Sequence, residues 1–153
     1  MDSDQQYVVF TLSTSSYALD IACVQEIIRL PALTQVPQSL PYVVGIINLR
    51  GSIVPVLDLR QRCGLPAGEA TAATRVVVVQ QESQNLGLIV DGVDEVTTIP
   101  VTAIEPVADI VRGASAQRLL LGVARLEDRL VLLLDLSKIV AREDLEALAQ
   151  TAA

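Results

Sequence analysis

The chain carries one pattern twice. The stretch Gly45-Ile-Ile-Asn-Leu-Arg-Gly-Ser-Ile-Val-Pro-Val-Leu-Asp-Leu59 aligns without a gap on Gly122-Val-Ala-Arg-Leu-Glu-Asp-Arg-Leu-Val-Leu-Leu-Leu-Asp-Leu136. Leu49 falls on Leu126, Val54 on Val131, and Leu57-Asp58-Leu59 on Leu134-Asp135-Leu136. Upstream, Val24-Gln-Glu-Ile27 answers Val93-Asp-Glu-Val96, and Tyr7-Val-Val-Phe10 answers Arg75-Val-Val-Val78 more loosely. The blocks keep their order while the gaps between them shift. Such a sequence is constrained to two small β units of like build, and the surface between them is the first place to look for function.

At 153 residues the chain makes one domain, or two very small lobes sharing a core, since either half alone would bury too little surface. Apolar residues are 51% of the chain and aromatics 3%, so Val, Leu, Ile and Ala must fill that core. So few aromatics argue against recognition by stacking on bases. A net charge of −7 argues against nucleic acid, whose affinity rests on clustered cations releasing counterions. Histidine is absent, which removes the usual neutral-pH base and the commonest metal ligand. Cys23 and Cys63 lack metal-ligand spacing and read as reduced thiols. The opening Met1-Asp-Ser-Asp-Gln-Gln6 is unlike a secretory leader, and no apolar run approaches the ~20 residues that span a bilayer. The expectation is a cytoplasmic protein without direct membrane contact.

Residues Tyr7 to Leu12 and Tyr17 to Ile21 read as a hairpin around Ser13–Ser16, and Val24 to Leu30 as mostly strand. Pro31, Pro37 and Pro41 punctuate the next segment, which can be neither a central strand nor a long helix. Val43 to Leu49 and Ile53 to Leu59 form a second hairpin over Arg50-Gly51-Ser52, with Gly51 supplying positive φ. Arg60 to Ala73 reads as a linker. The second half repeats the plan through Val76–Gln80, Leu86–Val90, Val93–Ile99, an irregular segment from Pro100 to Gln117, and the hairpin Leu119–Leu126 with Leu130–Leu136. Ser137 is the expected cap of a terminal helix over 137–149. The predicted fold is mainly β: two SH3-like barrels of about five strands, one lobe over 7–62, the other over 74–140.

A catalytic site is harder to find. Asp58 and Asp135 occupy equivalent positions, as in a shared-proton carboxylate dyad. Each, however, sits between leucines at the end of an apolar strand rather than on a glycine-rich turn, so capping or pairing with Arg60 or Lys138 is the simpler role. Asp91, Asp94 and Glu95 around Gly92 lack the alternating oxygen ligands of a calcium loop and read as a solvated turn. No phosphate loop, dinucleotide fingerprint, nucleophile elbow or zinc spacing occurs. The expectation is no catalytic residue, no metal and no cofactor. All but one of the basic residues are Arg. Arg50, on a tight turn, can reach a partner's carboxylate bidentately or brace its own lobe.

Gly45 to Arg60 closely resembles the signature of the CheW-type chemotaxis coupling proteins. Tyr7–Leu12, Tyr17–Ile21, Val24–Ile27, Gly87-Leu-Ile-Val-Asp-Gly-Val93, Gly122–Leu126 and Asp128–Leu136 extend the resemblance in order over residues 7 to 140. It implies a pair of five-stranded SH3-like barrels and a non-enzymatic adaptor between chemoreceptor signalling tips and the regulatory domain of a CheA-type histidine kinase, at receptor arrays beneath the inner membrane. Carried over by motif, the contact candidates are Val24, Glu26, Arg50 and Val93. Gly45, Gly51 and Gly87 are expected to permit close backbone approach. An adaptor for a pilus, gliding or other kinase pathway, or a groove that binds a ligand or peptide, are the alternatives.

Overall fold

The computed structural model describes residues 4–36, 42–66, 68–106 and 119–140. The first half runs β1 (Asp4–Leu12), β2 (Ser15–Asp20), a 3-10 turn (Ile21–Cys23), β3 (Val24–Arg29), β4 (Val43–Leu49), β5 (Ser52–Asp58) and a one-turn helix α1 (Leu59–Arg62). The second runs β6 (Arg75–Gln81), β7 (Gln84–Val90), β8 (Gly92–Pro100), a 3-10 turn (Val101–Ala103), β9 (Ile104–Glu105), β10 (Leu120–Leu126), β11 (Arg129–Leu134) and α2 (Leu136–Ile139). The molecule is mainly β, as expected, with two sheets. Four hairpins, β1–β2, β4–β5, β6–β7 and β10–β11, turn through two-residue loops. Such loops need positive φ to match strand twist. Ser13, Arg50, Gly51, Glu82, Ser83 and Glu127 supply it.

The sheets are not the halves of the chain. One has the order β8-β1-β2-β11-β10-β9, the other β3-β6-β7-β5-β4. Each takes its opening hairpin from one repeat and its remaining strands from the other, so the repeats have exchanged hairpins. A division at 62 and 74 therefore separates the repeats in sequence but not the sheets in space. The exchange is reciprocal in register: Val24 lies opposite Val79 and Val93 opposite Phe10, while Val56 runs beside Gly87 and Leu133 beside Ala18. By this register Phe10 answers Val79, not Val78, so the loose upstream alignment is one residue out. Continuous valine runs hide the shift.

The sheets differ in strand number because β9 adds a two-residue pairing to β10, where five strands were expected. Its counterpart is a single bridge between Thr34 and Ile46 beside β4. Equivalent glycines make both possible. A Cβ on Gly45 would stand 2.7 Å from the Thr34 carbonyl oxygen, and one on Gly122 would stand 2.8 Å from that of Glu105.

Apolar side chains divide into three buried groups. Tyr7, Val9, Ala18, Ile99, Ala124, Val131 and Leu133 pack together in the six-stranded sheet. Ile47, Val54 and Val56 form the smaller group of the five-stranded sheet. The largest joins both: Phe10, Leu12, Tyr17 and Leu19 from one sheet meet Leu57, Val77, Val79, Leu86 and Leu88 from the other. Strand β6 is buried on both faces from Val76 to Val79, which explains its unbroken apolar run.

Asp58 and Asp135 cap α1 and α2, accepting from the amides of Arg60 and Ser137 at 3.1 Å. The cap of α2 is thus Asp135, not Ser137: the carboxylate ends the strand, and Ser137 lies inside the first turn. The rest of the helix expected over 137–149 lies outside the described residues. Arg62 on α1 donates from Nε to the Ile139 carbonyl and from Nη2, at 3.2 Å, to that of Lys138. That contact holds the ends of the two repeats together. Among the described residues no helix is long and apolar enough to cross a membrane.

Candidate functional site

Two of the four predicted contact residues meet. Glu26 lies on edge strand β3, Arg50 at the tip of the β4–β5 hairpin on the opposite side of the same sheet, and they form a salt bridge. The sheet must curl for its edges to approach this way. The Arg50 side chain remains 72% exposed and that of Glu26 25%. An exposed pair of this kind contributes little stability, ~0–1 kcal/mol. It holds Arg50 in place while leaving much of the guanidinium free to meet another molecule. The intramolecular brace is therefore real, and it does not exclude a contact role.

The second repeat has a matching clasp. Arg129, where β11 leaves its hairpin, pairs with Glu95 on β8 and lies 3.7 Å from Asp94. Glu95 is the repeat equivalent of Glu26, whereas the arginine has moved to the other side of the turn. Sequence reasoning missed Arg129; the alignment of Val24–Ile27 with Val93–Val96 was the signal that could have found it. Exposed apolar residues recur in the same fashion. Ile27 answers Val96, and Ile53 answers Leu130.

Val24 and Val93 are equivalent but lie on different sheets, each half-buried against the central core. They do not join the Glu26–Arg50 pair in one site. Val93 instead lines a groove of about 400 Å³ with Ile27, Thr11, Arg75 and Asp94. The three glycines act differently from one another. Gly45 does permit backbone approach, Gly51 has open space and φ of +87°, and Gly87 makes room for the side chains of Val76 and Val56.

The acidic triplet is not a turn: Asp94 and Glu95 belong to β8, and only Asp91 lies at the bend before it. Asp94 accepts from the Thr11 hydroxyl at 3.2 Å. Asp91 receives Arg60 Nε on both oxygens at 2.9 Å and the Ser13 amide at 2.6 Å. Burial pushes its pKa up, but the Arg60 hydrogen bond, the Ser13 amide and the Arg60 charge outweigh it, so the net shift is downward. A depressed folded pKa contributes stability above the ordinary value of 3.8, lost as pH falls through the lower folded value. Asp91→Asn is therefore expected to lower Tm at neutral pH and to match the parent in strong acid. A Tm gap that persists unchanged into acid would refute this.

Both cysteines are free. Burial raises both thiols, Cys63 to about 11. Neither is poised as a nucleophile at neutral pH.

Fold and site together define a duplicated, hairpin-exchanged β protein whose charged side chains gather at sheet corners. Residues 6–144 match the CheW-like domain family. The chain belongs to that family. It is 31% identical to the chemotaxis protein CheW of Rhizobium meliloti (strain 1021), covering 94% of this chain and 92% of that one. It is also 31% identical to CheW of Bacillus subtilis (strain 168), over 91% and 88%. Among solved structures, the scaffolding protein TtCheW of Thermoanaerobacter tengcongensis superposes with a TM-score of 0.83 at 31% identity, covering 94% of this chain and 92% of that one.

Proposed function

We propose that this chain is a non-enzymatic chemotaxis adaptor that couples chemoreceptor cytoplasmic tips to the regulatory domain of a CheA-type histidine kinase, at receptor arrays beneath the inner membrane. The observation that carries the reading is the Glu26–Arg50 clasp in a chain of this family: an exposed guanidinium fixed at a sheet corner. Arginine so placed can form paired hydrogen bonds to a partner carboxylate. Ile27 and Ile53, exposed and close in sequence to the clasp, add apolar area for such a contact. Val93 lines a separate groove that Ile27 also borders. Individually weak contacts suffice in an array, because each bound partner raises the effective concentration of the next.

Co-sedimentation with receptor signalling fragments and kinase tests the proposal. Arg50→Glu is expected to weaken assembly about tenfold or more, the scale of a lost charged contact. The reversed pair Glu26→Arg with Arg50→Glu separates the two roles of the arginine. Restored assembly would mean that Arg50 only braces its own sheet. Continued failure in a folded protein is the result expected of a direct partner contact. A wild-type chain that joins no receptor–kinase assembly would overturn the proposal itself.

A further inference from the structure

Two arginines face each other across strands of the five-stranded sheet. Arg29 ends β3 directly opposite Arg75, the first residue of β6. Directly opposite residues of an antiparallel pair share a face, with Cβ atoms about 5 Å apart, and like charges so placed destabilise the sheet. The fold does not require this pair. By the register of the duplication the equivalent residues are Thr98 and Gln6, which also lie opposite each other and are neutral.

Among the described residues no carboxylate forms an ion pair with either arginine. The Arg29 side chain is exposed and has no hydrogen-bond partner there. Arg75 is half-buried and donates only to carbonyls, its Nη1 meeting those of Ala72 and Thr74 at 2.9 and 2.8 Å. Its Nε and Nη2 are left over. The pair borders the groove of about 400 Å³ that Ile27, Arg75 and Val93 line with Asp91 and Asp94. Arg29 follows Ile27 by two residues on β3 and so shares its face. Both groove carboxylates are already engaged, Asp91 by Arg60 and the Ser13 amide, Asp94 by Thr11 and Arg129. The groove thus joins an apolar stretch, Ile27 with Val93, to two guanidinium groups with donors to spare.

We infer that Arg29 and Arg75 together bind a carboxylate on a partner polypeptide, one whose adjoining aliphatic side chain rests on Ile27 and Val93. A guanidinium fork matches a carboxylate bidentately, and two forks on one face can hold it jointly. The electrostatic setting favours a single carboxylate over a multiply charged anion. The chain carries a net charge of −7, and Asp91 and Asp94 border the same groove, so phosphate and polyanionic surfaces are repelled. The inference rests on the adaptor reading for the partner's place in a signalling assembly, and not for the chemistry of the site.

The test is titration of the full-length, isotope-labelled protein, observed through amide and arginine Nε–H NMR signals. The probes are a short capped peptide with one glutamate flanked by leucines, its glutamine counterpart, and inorganic phosphate. Saturable shifts at Ile27, Arg29, Arg75 and Val93 are expected with the glutamate peptide. Binding about tenfold weaker is expected with glutamine, as for loss of a charged hydrogen-bonding group. Arg29→Glu supplies a carboxylate from within. It is expected to raise Tm, by pairing across the strands with Arg75, and to weaken peptide binding about tenfold or more. An arginine that served only the fold would not set stability against binding in this way. No saturable shift, equal binding of the two peptides, tighter binding of phosphate, or undiminished binding by Arg29→Glu would each overturn the inference. In co-sedimentation with receptor fragments and kinase, Arg29→Glu is expected to assemble about tenfold less well than the parent. Equal assembly of the two would overturn the inference and leave the adaptor reading standing. A parent that fails to assemble would overturn that reading, while the peptide titration still decides the site.

Discussion

Fragments 1–70 and 71–153, each produced alone, are expected to be unfolded, and to recover a dispersed spectrum when mixed. The exchange of hairpins is the reason. In fragment 1–70 the β1–β2 hairpin would lack β8 and β11, its neighbours on either side. Strand β3 would be separated from β5 by the missing β6–β7 pair. A lone two-stranded hairpin is marginal in water, and each remnant would expose open strand edges. The central core would also be split, since Phe10, Leu12, Tyr17 and Leu57 come from one fragment and Val77, Val79, Leu86, Leu88 and Leu134 from the other. The intact chain, by contrast, is expected to unfold in a single transition, because neither sheet is complete without both repeats. Circular dichroism and amide NMR of the separate and mixed fragments decide the matter. Cooperative unfolding by fragment 1–70 alone would show that the repeats are self-sufficient lobes.

Legibility in the sequence depends on the range of the interactions involved. The β4–β5 and β10–β11 hairpins were legible because turn chemistry and apolar alternation are local, and strand limits there agree to within two residues. The duplication was legible for the same reason. The hairpin exchange was not, because β6 is apolar on both faces and pairs as readily, in pattern, with either repeat. Partner choice is instead set by the shared core and by the parallel pairings of β5 with β7 and β2 with β11, which join residues far apart in the chain. Of the candidate site, Arg50 was visible from its turn. Its bond to Glu26 crosses the curl of a sheet, a relation with no local signature, and the same holds for Arg129 with Glu95.

Gly45→Ala and Gly122→Ala are expected to destabilise the protein by about 1–3 kcal/mol each, as overpacking does where the neighbour cannot yield. The added carbon meets a backbone carbonyl oxygen, that of Thr34 at 2.7 Å or Glu105 at 2.8 Å, rather than the movable end of a side chain. Relief requires the bridged segment to move off its sheet. In the first repeat that would lengthen the two Thr34–Ile46 backbone hydrogen bonds, now 3.0 and 2.8 Å. In the second it would part β9 from β10. Gly51→Ala provides a contrast: nothing lies within 4 Å, so its expected penalty, about 1 kcal/mol, comes from φ of +87° alone. Gly92→Ala, with Ala73 at 3.8 Å, meets only ordinary van der Waals contact and is expected to be near neutral. Chemical denaturation of the four variants measures the series. Equal effects at Gly45 and Gly122, both larger than at Gly92, are what a true structural duplication requires. A tolerated alanine at either position would mean that the close backbone approach is not retained in solution there.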